Sequence, residues 1–379
     1  MKIIHTSDWH LGRVIYGKSL LADQEYFIEH TFYELLEREQ PDAIILAGDL
    51  FDRVIAPVEA LRLYDRFVNH VCGRLHIPLI AVSGNHDGAD RLGLGSGLLG
   101  AAGYHVTTAL DTDAPPVILQ KPGERAVHIY ALPYFDPAMA RDYLRDEQLR
   151  GFSQAYAAIV ARIRARLDPA AFNILVAHCF VTGAAVSDSE SPLFIGGSGE
   201  TDAAVFDGFD YVALGHLHRA QRAGANGRYA GSPLKYSFDE AGHSKSVTRL
   251  VIGQTETEIC EIPVAPLRDM RVLSGTLDQL RERAAEDSHT DDYIFAELVG
   301  DPVFSPMEKL REVYPNALGV QNGTLIAELA QENRVGLKAS GHTRIFEEFL
   351  RQMCGVEPRD EDMDIFEAAY AQALEEVDA

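Results

Sequence analysis

Five short polar motifs interrupt the first 220 residues of the chain, and each directly follows a short apolar segment. In α/β sheets, ligand-binding residues gather at the carboxyl ends of the strands. We therefore predict that one chemical site collects all five motifs. In chain order they are Asp8-Trp9-His10, Gly48-Asp49, Gly84-Asn85-His86-Asp87, His178 and Gly215-His216-Leu217-His218.

Apolar runs alternate with amphipathic stretches along residues 1–265, and Ala22–Arg38 and Val58–Cys72 repeat apolar residues at helical spacing. Such alternation indicates an α/β fold in which helices cover the outer faces of sheets. A more β-rich stretch, Val247–Ile252 and Glu258–Ile262, follows. The strands predicted before it are Lys2–Thr6, Ala43–Ala47, Leu79–Val82, His128–Ala131, Asn173–Ala177 and Tyr211–Leu214.

A domain boundary is predicted near Pro263–Pro266, so that residues 1–265 form one domain. Residues 266–335 show a βαβαβ pattern and are predicted to form a small α+β capping domain. Its elements are Met270–Leu273, Leu277–Arg283, Tyr293–Val299, Pro306–Val313 and Leu318–Val320. The Gly-rich segments 93–103 and 183–199 are predicted to be mobile loops.

Residues 336–379 are predicted to form two C-terminal helices, each with one apolar face. The first face comprises Ile345, Phe346, Phe349, Leu350 and Met353, and the second comprises Phe366, Tyr370, Ala373, Leu374 and Val377. These faces would either bind a partner protein or pack against the capping domain.

The chain carries 57 acidic and 34 basic residues, a formal net charge of −23. Nucleic-acid-binding proteins usually have a basic balance, so this charge favours a partner that supplies much of any contact with DNA. The N-terminus lacks a signal-peptide pattern, and no apolar run reaches the length of a membrane span. The four cysteines are scattered, which suggests reduced thiols. We therefore expect a cytoplasmic protein with no membrane association.

The residue types in the five motifs suit a binuclear metal centre. Carboxylate, imidazole and amide ligands together favour manganese, iron or zinc over calcium. Asp8/His10 and His216/His218 are each spaced by two, which in extended backbone places both side chains on one face. Asp49 is the predicted bridging carboxylate between two metals. The nine histidines outside the motifs are interpreted as hydrogen-bonded core residues: 5, 30, 70, 76, 105, 128, 243, 289 and 342.

The order of the motifs resembles that of the calcineurin-like metallophosphoesterase family, whose fold is a β-sandwich flanked by helices. Within it, several segments are similar to the SbcD-type subunits of the double-strand-break repair nuclease family. These are TSDWHLG at 6–12, AGDLFD at 47–52, GNHD at 84–87, ALGHLHRAQ at 213–221 and YAGSPLKYSFDE at 229–240. The resemblance is close over residues 1–265.

The resemblance implies roles for individual residues. One metal would be bound by Asp8, His10, Asp49 and His218, and the other by Asp49, Asn85, His178 and His216. The implied catalytic residues are His86, which would stabilise or protonate the leaving oxygen, and Asp87, its neighbour. Asp52 receives no chemical role.

The resemblance also implies a DNA repair activity that depends on two divalent ions, most often manganese, with magnesium as the alternative. The enzyme would act as an exonuclease on duplex ends and as an endonuclease on single strands and hairpins. Its partners would be DNA and the SbcC ATPase, with a homodimer inside a heterotetramer. ATP would bind SbcC, since the chain contains no GxxxxGK[ST] phosphate loop. The segment 336–379 would then be the SbcC-binding segment.

Two other functions stay open from the sequence. A small-molecule or cyclic-nucleotide phosphodiesterase also uses the GNHD motif, whereas a protein phosphatase would be expected to carry GDxxDRG and GNHE. The chain could instead serve chiefly as a structural subunit that gates an ATPase. Five basic residues beside the motifs are candidates for phosphate contact or ordinary surface charges: Arg13, Lys18, Arg53, Arg91 and Lys235.

Overall fold

The structure is a computed structural model that describes residues 1–190, 199–301, 303–322, 346–347, 359, 362–363 and 365–366. The strands in these ranges are β1 (Lys2–Thr6), β2 (Val14–Ile15), β3 (Lys18–Ser19), β4 (Ala43–Ala47), β5 (Leu79–Val82), β6 (Tyr104–Thr107), β7 (Val117–Leu119), β8 (Val127–Ala131), β9 (Phe172–His178), β10 (Phe180–Val181), β11 (Glu200–Thr201), β12 (Tyr211–Gly215), β13 (Gln221–Ala223), β14 (Gly227–Tyr229), β15 (Ser246–Ile252), β16 (Thr257–Pro263), β17 (Met270–Gly275), β18 (Tyr293–Leu298) and β19 (Ala317–Asn322).

The α-helices in the same ranges are α1 (Leu21–Tyr26), α2 (Tyr33–Glu39), α3 (Val58–Val68), α4 (Ala89–Leu92), α5 (Ser96–Leu99), α6 (Pro137–Leu144), α7 (Gly151–Arg164), α8 (Leu277–Ala284) and α9 (Pro306–Arg311). A π-helical segment, Phe27–Phe32, joins α1 to α2, and another, Asn69–Arg74, extends α3. Short 3₁₀ turns occur at Gly100–Ala102, Ala203–Phe206 and Phe238–Gly242.

Two six-stranded mixed sheets dominate the first part of the chain. The first has the order β16-β15-β1-β4-β5-β6, and the second has the order β13-β14-β12-β9-β8-β7. Strands β1, β4, β5 and β6 are parallel in the first sheet, as are β8, β9, β12 and β14 in the second. The predicted α/β sandwich is confirmed, and all six predicted strands from Lys2–Thr6 to Tyr211–Leu214 are present.

The core between the two sheets is formed by the strands themselves. Ile3, Ile45 and Val82 of the first sheet belong to one buried cluster with Ile174 and Ala213 of the second. Strand β4 is buried along its whole length, as expected for parallel strands covered on both faces. Burial on both faces explains why these strands are continuous apolar runs that are recognisable in the sequence.

Aromatic residues fasten a helical layer to the first sheet. Trp9 is 1% exposed and makes edge contacts with Phe27, Phe32 and Phe67. Its Nε1 donates a hydrogen bond of 2.9 Å to Thr6 Oγ1. Trp9 therefore anchors the loop that follows β1 to the helices, between the two candidate ligands of that loop.

The prediction of a mobile loop over residues 93–103 was wrong, because this segment contains α5 and a 3₁₀ turn. Gly95 and Gly103 adopt positive φ values of 76° and 87° and separate short helical turns. Gly103 ends the 3₁₀ turn, which is a common role for a residue without a Cβ atom, and Gly95 directly precedes α5. Within the second predicted loop, residues 191–198 lie outside the described residues.

The chain divides into two compact units. The first comprises Met1–Val272 with Asp291–Ile294, and the second comprises Leu273–Thr290 with Phe295–Ala379. Strands β17, β18 and β19 form a three-stranded sheet in that order, with α8 and α9 between them in the sequence, which matches the predicted βαβαβ pattern. The domain limits at 265 and 335 stay predictions.

The predicted C-terminal helices lie largely outside the described residues. Among the described ones, the rings of Phe346 and Phe366 stack with centroids 4.3 Å apart. These two residues were predicted to lie on the apolar faces of different helices.

Candidate metal centre

The loops that follow β1 and β4 run side by side at one edge of the first sheet. The Asp8 amide donates to the Gly48 carbonyl over 3.0 Å, and the His10 amide donates to the Asp49 carbonyl over 2.9 Å. Because β1 and β4 are parallel neighbours, their carboxyl ends meet at this edge. Asp8, His10 and Asp49 are therefore brought together by main-chain pairing.

Four of the predicted ligands have a left-handed backbone. The φ angles are 55° for Asp8, 44° for His10, 50° for Asp49 and 107° for His216. The extended backbone expected for the pairs Asp8/His10 and His216/His218 was therefore wrong at Asp8, His10 and His216. Positive φ is uncommon for residues other than glycine, and such strain concentrates at functional sites.

The predicted ligands fall into two main groups of converging side chains. Asp8, His10 and His218 form the first group, and Asp49, His178 and His216 form the second. Within each group one ligand atom per residue lies within 4.8 Å of the others. These two groups contain six of the seven predicted ligands. A third group joins His10 and Asp49 to His86, which was predicted to be catalytic and not a ligand.

Asn85, the seventh predicted ligand, lies in the second group. Its Oδ1 is 3.0 Å from His178 Nε2 and 3.2 Å from His216 Nδ1. In the first group, His10 Nε2 and His218 Nε2 are 3.1 Å apart. Ring nitrogens and carboxylates that converge in this way form the mixed donor set that suits a transition-metal ion.

Asp49 lies between the two groups. Its Oδ2 is 3.3 Å from His178 Nε2 and 3.6 Å from His10 Nε2. Its Oδ1 accepts a hydrogen bond of 2.9 Å from the His86 amide. This position fits the bridging role predicted for Asp49.

The charges of Asp8, Asp49 and His178 affect one another's pKa values. Burial raises the pKa of Asp8 to about 8, and the Asp49 carboxylate adds to this. Burial also opposes ionisation of Asp49, but His178 and other imidazoles hold the pKa of Asp49 well below its usual value. Burial lowers the pKa of His178, but the Asp49 and Asp8 carboxylates and the Ala47 carbonyl together raise that pKa to about 9. Burial lowers the pKa of His216 to about 3.

Glycines beside the ligands permit close approach of neighbouring groups. A Cβ atom on Gly84 would lie 2.1 Å from Asp49 Oδ1, and one on Gly215 would lie 1.8 Å from the Ala47 carbonyl oxygen. Gly48 has a φ of +88°, whereas Gly84 and Gly215 do not have positive φ. A turn with positive φ is thus found at Gly48, and the other two glycines are required by space.

His86 and Asp87, the predicted catalytic residues, occupy different surroundings. His86 is half-buried, and its Nδ1 lies 2.9 Å from the Asp52 carbonyl oxygen. Asp87 is buried, and its carboxylate accepts hydrogen bonds from three main-chain amides, of Gly84, Leu50 and Phe51, over 2.8, 3.2 and 2.9 Å. Burial raises the pKa of Asp87 to about 6. Asp87 therefore braces the loops after β4 and β5, and the Asp52 carbonyl oxygen contacts the His86 ring.

Several supporting residues were missed by the sequence analysis. Gln24 Nε2 donates to the carbonyl oxygens of Trp9 and His10, over 3.0 and 2.8 Å. Glu190 accepts a hydrogen bond of 2.5 Å from the His218 amide. Gln24 lies on a helix and Glu190 in a Ser/Gly-rich loop, and neither position carries a sequence signal of its role.

The candidate phosphate-contacting residues divide into two classes. Arg13 donates to Asp52 Oδ1 over 2.8 Å, and Lys235 donates to Asp269 Oδ2 over 3.0 Å, so both are engaged within the protein. Lys18, Arg53 and Arg91 are exposed, and Arg53 Nε lies 3.5 Å from Asp52 Oδ2. Exposure alone therefore distinguishes the second class as candidates for contact with a substrate.

The interpretation of nine histidines as core residues holds for His5. It is buried, and its Nδ1 lies 3.0 Å from the Tyr211 hydroxyl oxygen. It was wrong for His30, His76 and His289, which are exposed. His342 lies outside the described residues.

Comparison with known families decides the class of the protein. Residues 1–220 match the calcineurin-like phosphoesterase family. The chain belongs to the calcineurin-like phosphoesterase family. Residues 266–353 match the SbcD C-terminal family, described as the type 5 capsule protein repressor C-terminal domain. Together, the two matches support an SbcD-type nuclease subunit.

A solved dimetal phosphatase from Danio rerio is similar to 70% of this chain and 98% of its own length, with 13% identity and a TM-score of 0.46. The phosphoesterase family and the His/Asp groups of this chain support a metal-dependent phosphoesterase that holds two divalent ions. Within the part of the chain that the structure describes, no helix has the length and apolar character to cross a membrane.

Proposed function

We propose that the protein is a two-metal DNA nuclease that hydrolyses phosphodiester bonds, with exonuclease action on duplex ends and endonuclease action on single strands and hairpins. The observation that carries this proposal is the pair of ligand groups around Asp49 with the half-buried His86 beside them. The match to an SbcD C-terminal domain favours DNA over a small diester as the substrate.

The proposed ligands of one ion are Asp8, His10, Asp49 and His218. Those of the other are Asp49, Asn85, His178 and His216. Manganese is the proposed ion, with magnesium as the alternative. When bound, two such ions supply Lewis acidity to an attacking water and to the phosphate oxygens.

His86 is the proposed general acid. Its Nδ1 lies 2.9 Å from the Asp52 carbonyl oxygen. Because a carbonyl oxygen can only accept, Nδ1 carries a proton and donates it to this hydrogen bond. To stabilise or protonate the leaving oxygen, Nε2 must carry a second proton, so the acting form of His86 is the imidazolium, which becomes neutral when it gives the Nε2 proton to that oxygen. Asp87 acts through the loops, since its carboxylate is fully occupied by main-chain amides.

The function is tested by manganese-dependent cleavage of an end-labelled duplex and of a hairpin, with bis-p-nitrophenyl phosphate in parallel. Stepwise shortening of the duplex and opening of the hairpin are expected. Turnover of the small diester with intact DNA, even after addition of SbcC and ATP, would instead establish a small-molecule phosphodiesterase.

The proposed assembly is a homodimer within a heterotetramer with the SbcC ATPase. Exposed apolar side chains support a dimer. The surface helix α3 exposes Val58 and Leu61. Leu94, before α5, is 82% exposed, and Leu98, in α5, is 85% exposed. Large exposed apolar side chains of this kind commonly mark protein interfaces. We expect Leu94→Glu with Leu98→Glu to give a monomer in sedimentation while small-diester hydrolysis continues. A dimer in this double variant would place the interface elsewhere.

The segment 336–379 is proposed to bind SbcC. Deletion of residues 340–379 is expected to abolish co-purification with SbcC and to leave manganese-dependent cleavage of the small diester. Retained co-purification would contradict this assignment. A chiefly structural role is distinguished by Asp49→Asn and His86→Gln: if the unaltered protein cuts no substrate and both variants still stimulate SbcC, the gating function is the correct one.

A further inference from the structure

Polar groups contact His218 at its main-chain amide, at its carbonyl oxygen and at its ring Nδ1. Its amide donates to Glu190 Oε1 over 2.5 Å, and its carbonyl oxygen accepts from Lys245 Nζ over 2.8 Å. The residue is 2% exposed. The main chain of this ligand is therefore held at both its donor and its acceptor.

The imidazole is held by a chain of two further side chains. His218 Nδ1 lies 2.6 Å from Ser189 Oγ, and Ser189 Oγ lies 2.5 Å from Glu240 Oε1. Glu240 is fully buried and forms an ion pair with the buried Lys245. The carboxylate of such a pair can only accept hydrogen bonds.

The direction of the hydrogen bonds follows from this pairing. The single hydroxyl proton of Ser189 is donated to Glu240, which leaves Ser189 Oγ as an acceptor toward the ring. His218 Nδ1 must then carry a proton to complete the chain. In a neutral imidazole, the other nitrogen, Nε2, has the free lone pair.

We propose that Ser189 and Glu240 act as positioning residues that hold His218 in the Nδ1–H tautomer and present its Nε2 lone pair to a divalent ion. The inference rests on the proposed function, since it assigns a purpose to this tautomer. Nε2 is the atom that lies 3.1 Å from His10 Nε2, inside the group of Asp8, His10 and His218. Partners behind a metal-binding histidine commonly fix its tautomer and orientation.

The second group uses a different device for the same purpose. His178 Nδ1 lies 2.9 Å from the Ala47 carbonyl oxygen, so the main chain fixes its tautomer. Substitution at Ser189 should therefore weaken only the site that contains His218. This selectivity separates a positioning role from general loss of structure.

Manganese binding to the full chain tests the proposal, with affinities measured by electron paramagnetic resonance. Ser189→Ala is expected to weaken one of the two sites by about 10–100-fold and to leave the other unchanged. Ser189→Thr retains the hydroxyl and is expected to restore binding. Ser187→Ala is the matched control, since Ser187 Oγ is buried and has no hydrogen-bond partner among the described residues.

A second readout uses the metal-free protein, so that it decides the inference even if nuclease activity is absent. In ¹⁵N-histidine-labelled protein at pH 8, the His218 signals, identified by their loss in His218→Gln, should report the Nδ1–H tautomer. Ser189→Ala should shift them toward the Nε2–H tautomer. An Nε2–H tautomer in the unaltered protein, or unchanged manganese affinity in Ser189→Ala, would overturn the proposal. Failure of the unaltered chain to bind manganese would overturn the two-metal function instead.

Discussion

The two six-stranded sheets both contribute to the candidate metal centre, but they hold their ligands by different means. The first sheet supplies Asp8, His10 and Asp49 from loops whose main chains pair with each other, and all three have positive φ. The second sheet supplies three imidazoles, His178, His216 and His218, of which only His216 has positive φ.

The histidines of the second sheet depend on contacts from distant parts of the chain. His178 is held by the Ala47 carbonyl oxygen, and the His216 amide donates to Asp8 Oδ1 over 2.9 Å. His218 is held by Ser189 and Glu190. Backbone conformation thus positions the ligands of the first sheet, whereas long-range hydrogen bonds position the imidazoles of the second sheet.

Substitution of Asp49 is expected to have the largest effect, because Asp49 is where the ligands of the two sheets meet. Asp49→Asn should remove both manganese ions and all metal-dependent diester hydrolysis. The expected loss of affinity exceeds the roughly 100-fold loss that removal of a residue hydrogen-bonded to a metal ligand can cause. Manganese stoichiometry and hydrolysis of bis-p-nitrophenyl phosphate measure it, with the exposed Asp90→Asn as control. Retention of one ion would show that each sheet supports its own site.

The difference between the sheets also explains what the sequence could predict. The Gly48-Asp49 and GNHD motifs are local, so the ligands of the first sheet and their strands were recognisable from short patterns. The left-handed backbone was not, because φ at a non-glycine residue has no sequence signal. The supports of His218 were also missed, since Ser189 and Glu240 are brought to it only by the folded chain. The partners of the Asp87 carboxylate could not be predicted for the same reason, because two of them are main-chain amides of another loop.

Substitution of His86 tests whether a residue that follows a strand of the first sheet has a role other than metal binding. Replacement by glutamine should slow diester hydrolysis by about 10²–10⁴-fold, the usual contribution of a general acid. If His86 acts only as the general acid, manganese affinity should stay within error of the unaltered value, even though its ring lies in a group with His10 and Asp49. His216→Ala is the comparison variant and should lose an ion. Equal metal loss in the two variants would make His86 a ligand.

The pH dependence of manganese binding tests whether each sheet contributes one displaced proton. In the metal-free protein the pKa of Asp8 is raised to about 8, mainly by burial, and Asp49 raises that of His178 to about 9 against the effect of burial. Both groups are protonated at pH 7, and ligation requires both to lose the proton. Affinity should therefore begin to fall below about pH 9 and fall more steeply below about pH 8, by up to about tenfold per unit for each proton. Titration calorimetry in two buffers would count the protons, and a pH-independent affinity would contradict the coupling.

Gly215 of the second sheet lies against Ala47 of the first sheet. Its substitution is expected to have the smallest effect of those predicted. An alanine Cβ there would lie 1.8 Å from the Ala47 carbonyl oxygen and 2.9 Å from His178 Nδ1. Gly215→Ala should therefore push the sheets apart at this point, with a loss of about 1–3 kcal/mol in the free energy of unfolding, as overpacking typically causes. Gly73→Ala is the matched control, since a Cβ at Gly73 meets nothing within 4 Å. Urea denaturation of the metal-free protein measures both. If Gly215→Ala is as stable as Gly73→Ala, the carbonyl that holds His178 can move, and the imidazoles are less firmly positioned than the carboxylates.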